Sequence, residues 1–303
     1  MPASLTLTLA HSPDPDDVFM WWPITGMIDP SDHARITRPP VLDTGRFTFH
    51  ALPADIDVLN RRAIDAGDLD ITALSIFAWA RVADRYALTS CGGSFGEGYG
   101  PKLVAPESLP TNPLIAIPGS RTTAFLLLSL ALRQTGTPFR TLELPFDQIL
   151  RAVAEQRADA GLLIHQSQLT YADLGLSELL DLGAWWLDRT GLPLPLGGNA
   201  LRRDLERLHG PGTLREITSL LDRSIRHALD HRDESTDYAM RFAPDISRAQ
   251  ADRYIDMYVS PLTLDAGSPP DGRGHAAIQR LLTDAAALGL CSPVASIDLI
   301  RPV

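Results

Sequence analysis

Two glycine- and proline-rich runs constrain the fold of this chain more than any other feature. The first is Cys91-Gly92-Gly93-Ser94-Phe95-Gly96-Glu97-Gly98-Tyr99-Gly100-Pro101, whose five glycines mark a backbone that must bend freely. The second is Leu192-Pro193-Leu194-Pro195-Leu196-Gly197-Gly198-Asn199-Ala200, too punctuated for helix and therefore extended. Between them the sequence spells a βαβαβ block. It predicts strands at 114–117, 142–144 and 160–164, an apolar helix from Ala124, and a helix over 146–155. A chain that leaves one α/β unit, builds a second and returns makes two lobes that can hinge over a cleft. The expectation is an α/β protein with a discontinuous first lobe, 1–105 and 199–303, and an inserted second lobe, 106–198.

The flanking segments fit that plan. Leu5 to Leu9 alternates leucine with threonine, a half-buried strand. The polar loop His11-Ser12-Pro13-Asp14-Pro15-Asp16-Asp17 follows, then a helix over 18–22 with Asp16 or Asp17 near its start. Further strands are predicted at 47–52, 70–74 and 102–105, and helices at 56–66 and 76–82. Ser75 stands at the carboxyl end of its strand, where open α/β sheets collect ligands. Residues 29–48 read as a long connection. The last hundred residues read as helices at 213–230, 233–242, 247–259 and 275–288.

Composition narrows the partners. The 303 residues suit two cores, and 45% hydrophobic with 21% charged content argues against long disorder. A net charge of −10 speaks against a broad nucleic-acid face, while a helix N-terminus could still bind a small anionic substrate. The longest apolar run, Ala124 to Leu132, falls well short of the ~20 residues that span a bilayer, so no membrane partner is expected. The N-terminal run lacks the basic start of a secretory signal, which points to a cytoplasmic protein. Cys91 and Cys291 form no Cys-x-x-Cys pair, and a reducing compartment is the simpler reading beside one long-range disulfide. Oligomeric state is left open by the sequence, a homodimer included.

Several constellations could carry chemistry. His165 ends a buried strand, where an imidazole can titrate near neutral pH and take a proton; a structural histidine is the competing reading. Gly119-Ser120-Arg121-Thr122-Thr123 lies between strand and helix and suits a carboxylate or phosphate, against plain N-capping. Asp14, Asp16 and Asp17 could hold a hard cation, but turn and capping chemistry explains them better, and no metal is expected. Gly92-Gly93-Ser94-Phe95-Gly96 matches a hydrolase elbow, yet Gly98, Gly100 and Pro101 forbid the helix that such a serine needs. His227 and His231 are one helical turn apart without a third ligand, so a solvated face is expected. Trp21-Trp22 and Trp185-Trp186 could line a ring pocket or simply pack in the core.

Specific strings go further. Besides the loop His11 to Asp17 there are Asp57-Val58-Leu59-Asn60-Arg61-Arg62-Ala63, Ala83-Asp84-Arg85-Tyr86 and Gly98-Tyr99-Gly100-Pro101. They continue with Leu162-Leu163-Ile164-His165 through Leu169-Thr170-Tyr171, then Asp181-Leu182-Gly183-Ala184-Trp185-Trp186, then Thr190 to Ala200. In this order they resemble the 1,4-dihydroxy-6-naphthoate synthase family of the futalosine route to menaquinone, over most of the chain. The resemblance implies a periplasmic-binding-protein-like (type II) fold with two crossover strands and substrate in the central cleft. It implies a lyase without cofactors that opens cyclic dehypoxanthinylfutalosine, releases a three-carbon fragment and leaves an aromatic dihydroxynaphthoate. The family's histidine base falls on His165. Its substrate-contacting segments fall on Ala73-Leu74-Ser75 and Thr122-Thr123-Ala124, and the opening aspartate of its first helix matches Asp17. Arg121 joins this set as an anion contact, although family members vary there. The chain also departs from the family at Ala73 and in the long stretch from Asp29 to Thr48. A non-catalytic solute-binding protein of the same fold and the sister enzyme chorismate dehydratase are the alternatives.

Overall fold

The computed structural model describes residues 4–267 and 272–303; the first three residues of the N-terminal run lie outside them. The strand Leu5–His11 forms where leucine alternates with threonine, and Leu7 and Leu9 are buried. It runs parallel to Phe47–Pro53 on one side and to Ile71–Ser75 on the other. These three belong to a seven-stranded sheet. Its order is Leu299–Ile300, Tyr86–Thr89, Leu194–Arg202, Ile71–Ser75, Leu5–His11 and Phe47–Pro53, with Ser94–Gly96 pairing onto Leu194–Arg202. A five-stranded sheet runs Arg140–Glu143, Leu114–Ile117, Ala160–Leu163, Lys102–Ala105 and Ser177–Asp181. The chain thus crosses between sheets after Gly96 and returns after Asp181.

Three expectations are corrected by strand pairing. Lys102–Ala105 hydrogen-bonds to Ala160–Leu163 and Ser177–Asp181, so it lies in the second sheet although a boundary at residue 105 puts it in the first lobe. The glycine-rich run is not all loop: Ser94–Gly96 is a strand against Leu194–Gly197. The segment 29–48 is not a plain connection, because Met27–Asp29 and Asp32–Arg38 make a two-stranded hairpin. The second crossover is itself the long strand Leu194–Arg202, antiparallel to Ile71–Ser75.

The helix Pro15–Thr25 is buried along its whole length, its apolar run Val18 to Ile24 surrounded by core and its first-turn carboxyls Asp16 and Asp17 buried at the site. Pro15 starts it at a position where a missing N–H costs nothing. It packs on the helices Thr213–Asp230 and Arg232–Ala239, and Phe19, Trp21, Trp22, Ile217 and Ile225 share one core. A second core joins the two sheets: Leu74 and Phe77 from one side meet Ile117, Leu126 and Leu127 from the other, with Ile278 and Leu281 of the helix Arg273–Ala287. Each such fully buried side chain contributes about 1.5–3 kcal/mol, which holds the two units at their junction. Both cysteines are free, and burial raises the Cys91 thiol far above its usual range. No helix among the described residues is long and apolar enough to cross a membrane.

Candidate active site

Strand ends assemble the site. Ser12 and Asp14 follow the strand Leu5–His11, Ser75 closes Ile71–Ser75, Thr122 follows Leu114–Ile117, and His165 follows Ala160–Leu163. Residues from both sheets line one cavity, a concave site of the kind that takes a small-molecule ligand. Of the residues predicted from sequence, His165, Asp17, Ala73, Leu74, Ser75, Thr122, Thr123 and Ala124 line it. Arg121 does not: the lining begins at Thr122, and the guanidinium exerts its charge on Asp57. The cavity wall also includes Asp14, Asp16 and Ser94, for which turn, capping or loop roles were expected, and Asn199, Tyr254 and Tyr258, which the sequence did not single out.

His165 is held by its backbone and by its neighbours. Its φ is +59°, a left-handed conformation that non-glycine residues adopt at a cost of about 1 kcal/mol or more. That turn ends the strand and starts the 3-10 helix His165–Leu169. Asp14 sits at the N-cap of the helix Pro15–Thr25, yet its side chain makes no capping bond. Its Oδ2 is in direct contact with His165 Nδ1 instead. The edge of the imidazole also meets Phe146, with ring centroids 4.7 Å apart. Nε2 is buried without a hydrogen-bond partner, on a residue of the cavity wall. Burial is the largest influence on this ring and lowers its pKa. The charge and hydrogen bond of Asp14, helped by Asp55 and Asp16, outweigh it, and the pKa lies above the ordinary 6.5. A carboxylate at Nδ1 fixes the tautomer in which Nε2 carries the lone pair, the form that a general base needs.

The neighbouring carboxyls are unusual. Burial and the nearby charge of Asp14 push Asp16 from 3.8 to about 7, while Ser94 Oγ donates to its Oδ2 at 3.2 Å. Burial and Asp16 push Asp17 well above the carboxylate range, and its Oδ2 accepts the Ser12 N–H at 2.8 Å. Among the described residues no group of three or more His, Cys, Asp or Glu is arranged to hold a metal ion, His227 and His231 included. Those two rings stack at 3.9 Å beside Trp22, so the tryptophan pair at 21–22 is core.

The threonine hydroxyls also have structural duties. Thr122 caps the helix Thr123–Gln134, accepting from the Phe125 N–H at 3.2 Å and donating to the Gly119 carbonyl at 2.8 Å. Thr123 Oγ1 donates to the Leu196 carbonyl at 2.6 Å. Both hydroxyls are therefore engaged in building the wall. What remains for an anion is the helix N-terminus, whose first N–H groups have no intrahelical acceptor. On the opposite side Ser75 is clamped by buried Asn60, which donates to its Oγ and accepts its N–H, each at 3.0 Å.

Two sheets, two crossings and a cavity at the carboxyl ends define a binding-protein-like α/β molecule of the periplasmic type. The structure aligns with the ligand-binding component of an ABC-type import system from Staphylococcus aureus at a TM-score of 0.68 and 13% identity, covering 99% of this chain and 97% of the other. That likeness concerns the fold alone. A crystal structure of a protein from Archaeoglobus fulgidus is nearer, with a TM-score of 0.81 and 38% identity over 94% of this chain and 98% of its own. Residues 7–287 match the family described as menaquinone biosynthesis, and the chain belongs to that family. Two curated relatives carry the name 1,4-dihydroxy-6-naphtoate synthase. The one from Thermus thermophilus is 38% identical, over 95% of this chain and 96% of its own. The one from Streptomyces coelicolor is 37% identical, over 94% of each.

Proposed function

We propose that this chain is a 1,4-dihydroxy-6-naphthoate synthase, a lyase that converts cyclic dehypoxanthinylfutalosine to 1,4-dihydroxy-6-naphthoate in menaquinone biosynthesis. The observation that carries the mechanism is the unpartnered Nε2 of His165 on the cavity wall, with Asp14 at the other ring nitrogen. Nε2 removes a proton from the bound substrate, the bond to the three-carbon fragment breaks, and the imidazolium returns that proton to the products. Aromatisation drives the step, and Asp14 stabilises the imidazolium between the two transfers. The substrate carboxylate lies at the start of the helix Thr123–Gln134, and Ala73, Leu74, Ser75 and Ala124 shape the wall around it. Asp17 holds the loop Ser12 to Asp14 in place through the Ser12 N–H.

The two sheets are the cores of two lobes that close on the ligand. The inserted lobe, 106–198 by sequence, takes Lys102–Ala105 with it, and the strand Leu194–Arg202 returns to the first lobe. Closure excludes water and fixes the reacting geometry. This reading goes with a cytoplasmic enzyme that takes an anionic small-molecule substrate. Purified protein incubated with cyclic dehypoxanthinylfutalosine is expected to generate naphthoate absorbance. Binding without product under the same conditions would identify a solute receptor and overturn the reading.

A further inference from the structure

Three residues of the cavity wall carry a buried polar side-chain atom without a hydrogen-bond partner: Asp14 at Oδ1, His165 at Nε2 and Asn199 at Oδ1. The first two belong to the proton-transfer machinery. Asn199 has no role there.

Asn199 lies on the strand Leu194–Arg202 opposite Ala73 and is 1% exposed. Its Nδ2 donates to the Gly92 carbonyl at 2.8 Å. A carbonyl can only accept, so the amide nitrogen must point there and Oδ1 is the end left over. Thr89 Oγ1 donates to the Asn199 main-chain carbonyl at 3.1 Å and holds the strand locally. Gly92 is matched to this contact. Its φ is +79°, and a Cβ there would stand 2.4 Å from Asn199 Nδ2, so glycine alone lets the two approach. The result is a rigidly held amide whose acceptor has been stripped of water and given no donor. Such an atom is costly to bury and calls for a partner from outside the chain.

The sign of the demand is uniform. With the Nδ1–H of His165 directed at Asp14, Nε2 is an acceptor as well. All three orphaned atoms on the wall accept, so a complementary ligand brings donors. A carboxylate or ketone brings none, whereas a hydroxyl does. We propose that Asn199 is a specificity-determining residue that accepts a hydrogen bond from a hydroxyl group of the substrate. The proposal rests on the lyase reading and adds to it the ligand feature that this wall selects.

Two ligands test it. One is 2-naphthoate, with ring and carboxylate only; the other is 1,4-dihydroxy-6-naphthoate, with the hydroxyls added. Binding of each is measured by isothermal titration under argon. The unsubstituted protein is expected to favour the dihydroxy compound by about tenfold or more, the scale of one buried hydrogen bond. In Asn199→Leu that preference disappears while affinity for 2-naphthoate holds, which also reports an intact fold. Asn199→Ala, which leaves room for water at the Gly92 carbonyl, is measured alongside in case the leucine variant does not fold. An unchanged preference in these variants, or an equal loss for both ligands, overturns the proposal. If the unsubstituted protein binds neither ligand, the lyase reading falls as well.

Discussion

At His165 two opposed effects set the chemistry. Burial lowers the pKa, while Asp14, Asp55 and Asp16 raise it past 6.5. A base must be neutral, so activity rises with pH through the pKa of His165, and the acid limb of kcat/KM has its midpoint above 6.5. In Asp14→Asn the nearest opposing charge is gone and burial dominates. The limb then moves to lower pH, and plateau activity falls by about 10–100-fold as ring orientation loosens. A pH–rate profile that stays in place would contradict this pairing. Asp16 has the opposite consequence for stability. Its folded pKa of about 7 exceeds the ordinary 3.8, so the folded state binds the extra proton. That contribution is fully present below 3.8 and is lost as pH rises through about 7. Urea unfolding should therefore find Asp16→Asn more stable than the unsubstituted protein at pH 8, by about 1 kcal/mol or more, with the difference shrinking toward pH 4. His165 was legible in the sequence because a histidine just past a buried strand stands where ligands collect. Asp14 was not, because an aspartate between prolines reads as turn chemistry, and only folding brings it to a distant imidazole.

Among the elements, the helix Thr123–Gln134 matters most, because its N-terminus is part of the cavity wall. Thr122→Ala removes the cap and costs about 1 kcal/mol, seen as a small drop in melting temperature. It also loosens the N–H groups of that turn, so KM for the anionic substrate rises while kcat changes less. A variant that melts lower with KM unchanged would separate the helix start from substrate binding. The long helix Thr213–Asp230 was readable because its apolar residues recur at helical spacing, and the helices Arg248–Tyr258 and Arg273–Ala287 fall within two residues of their expected ends. Ser94–Gly96 was not, since glycines hide a strand whose pairing comes entirely from its neighbour. The hairpin Met27–Asp29 with Asp32–Arg38 was missed for a related reason: the second strand is largely exposed and carries little hydrophobic pattern. Tyr254 and Tyr258, one turn apart on the helix Arg248–Tyr258, are buried and both line the cavity.

For the whole molecule, the order of the two glycine- and proline-rich crossings gave away a chain that visits a second sheet and comes back. Which strand falls on which side of the first crossing was beyond the sequence, because Lys102–Ala105 is apolar enough for either sheet. Two lobes joined by a shared core should close around ligand. Small-angle scattering is expected to show a smaller radius of gyration with saturating 1,4-dihydroxy-6-naphthoate than without it. An unchanged radius would mean that the cavity binds without closure. Turnover as a whole depends on the His165 imidazole acting as the base. The most direct measurement pairs binding with turnover in His165→Asn, since asparagine tolerates the left-handed backbone at this position. Near-normal affinity for cyclic dehypoxanthinylfutalosine is expected, with naphthoate formation slowed by about 10²–10⁴-fold. Normal turnover by that variant would contradict it.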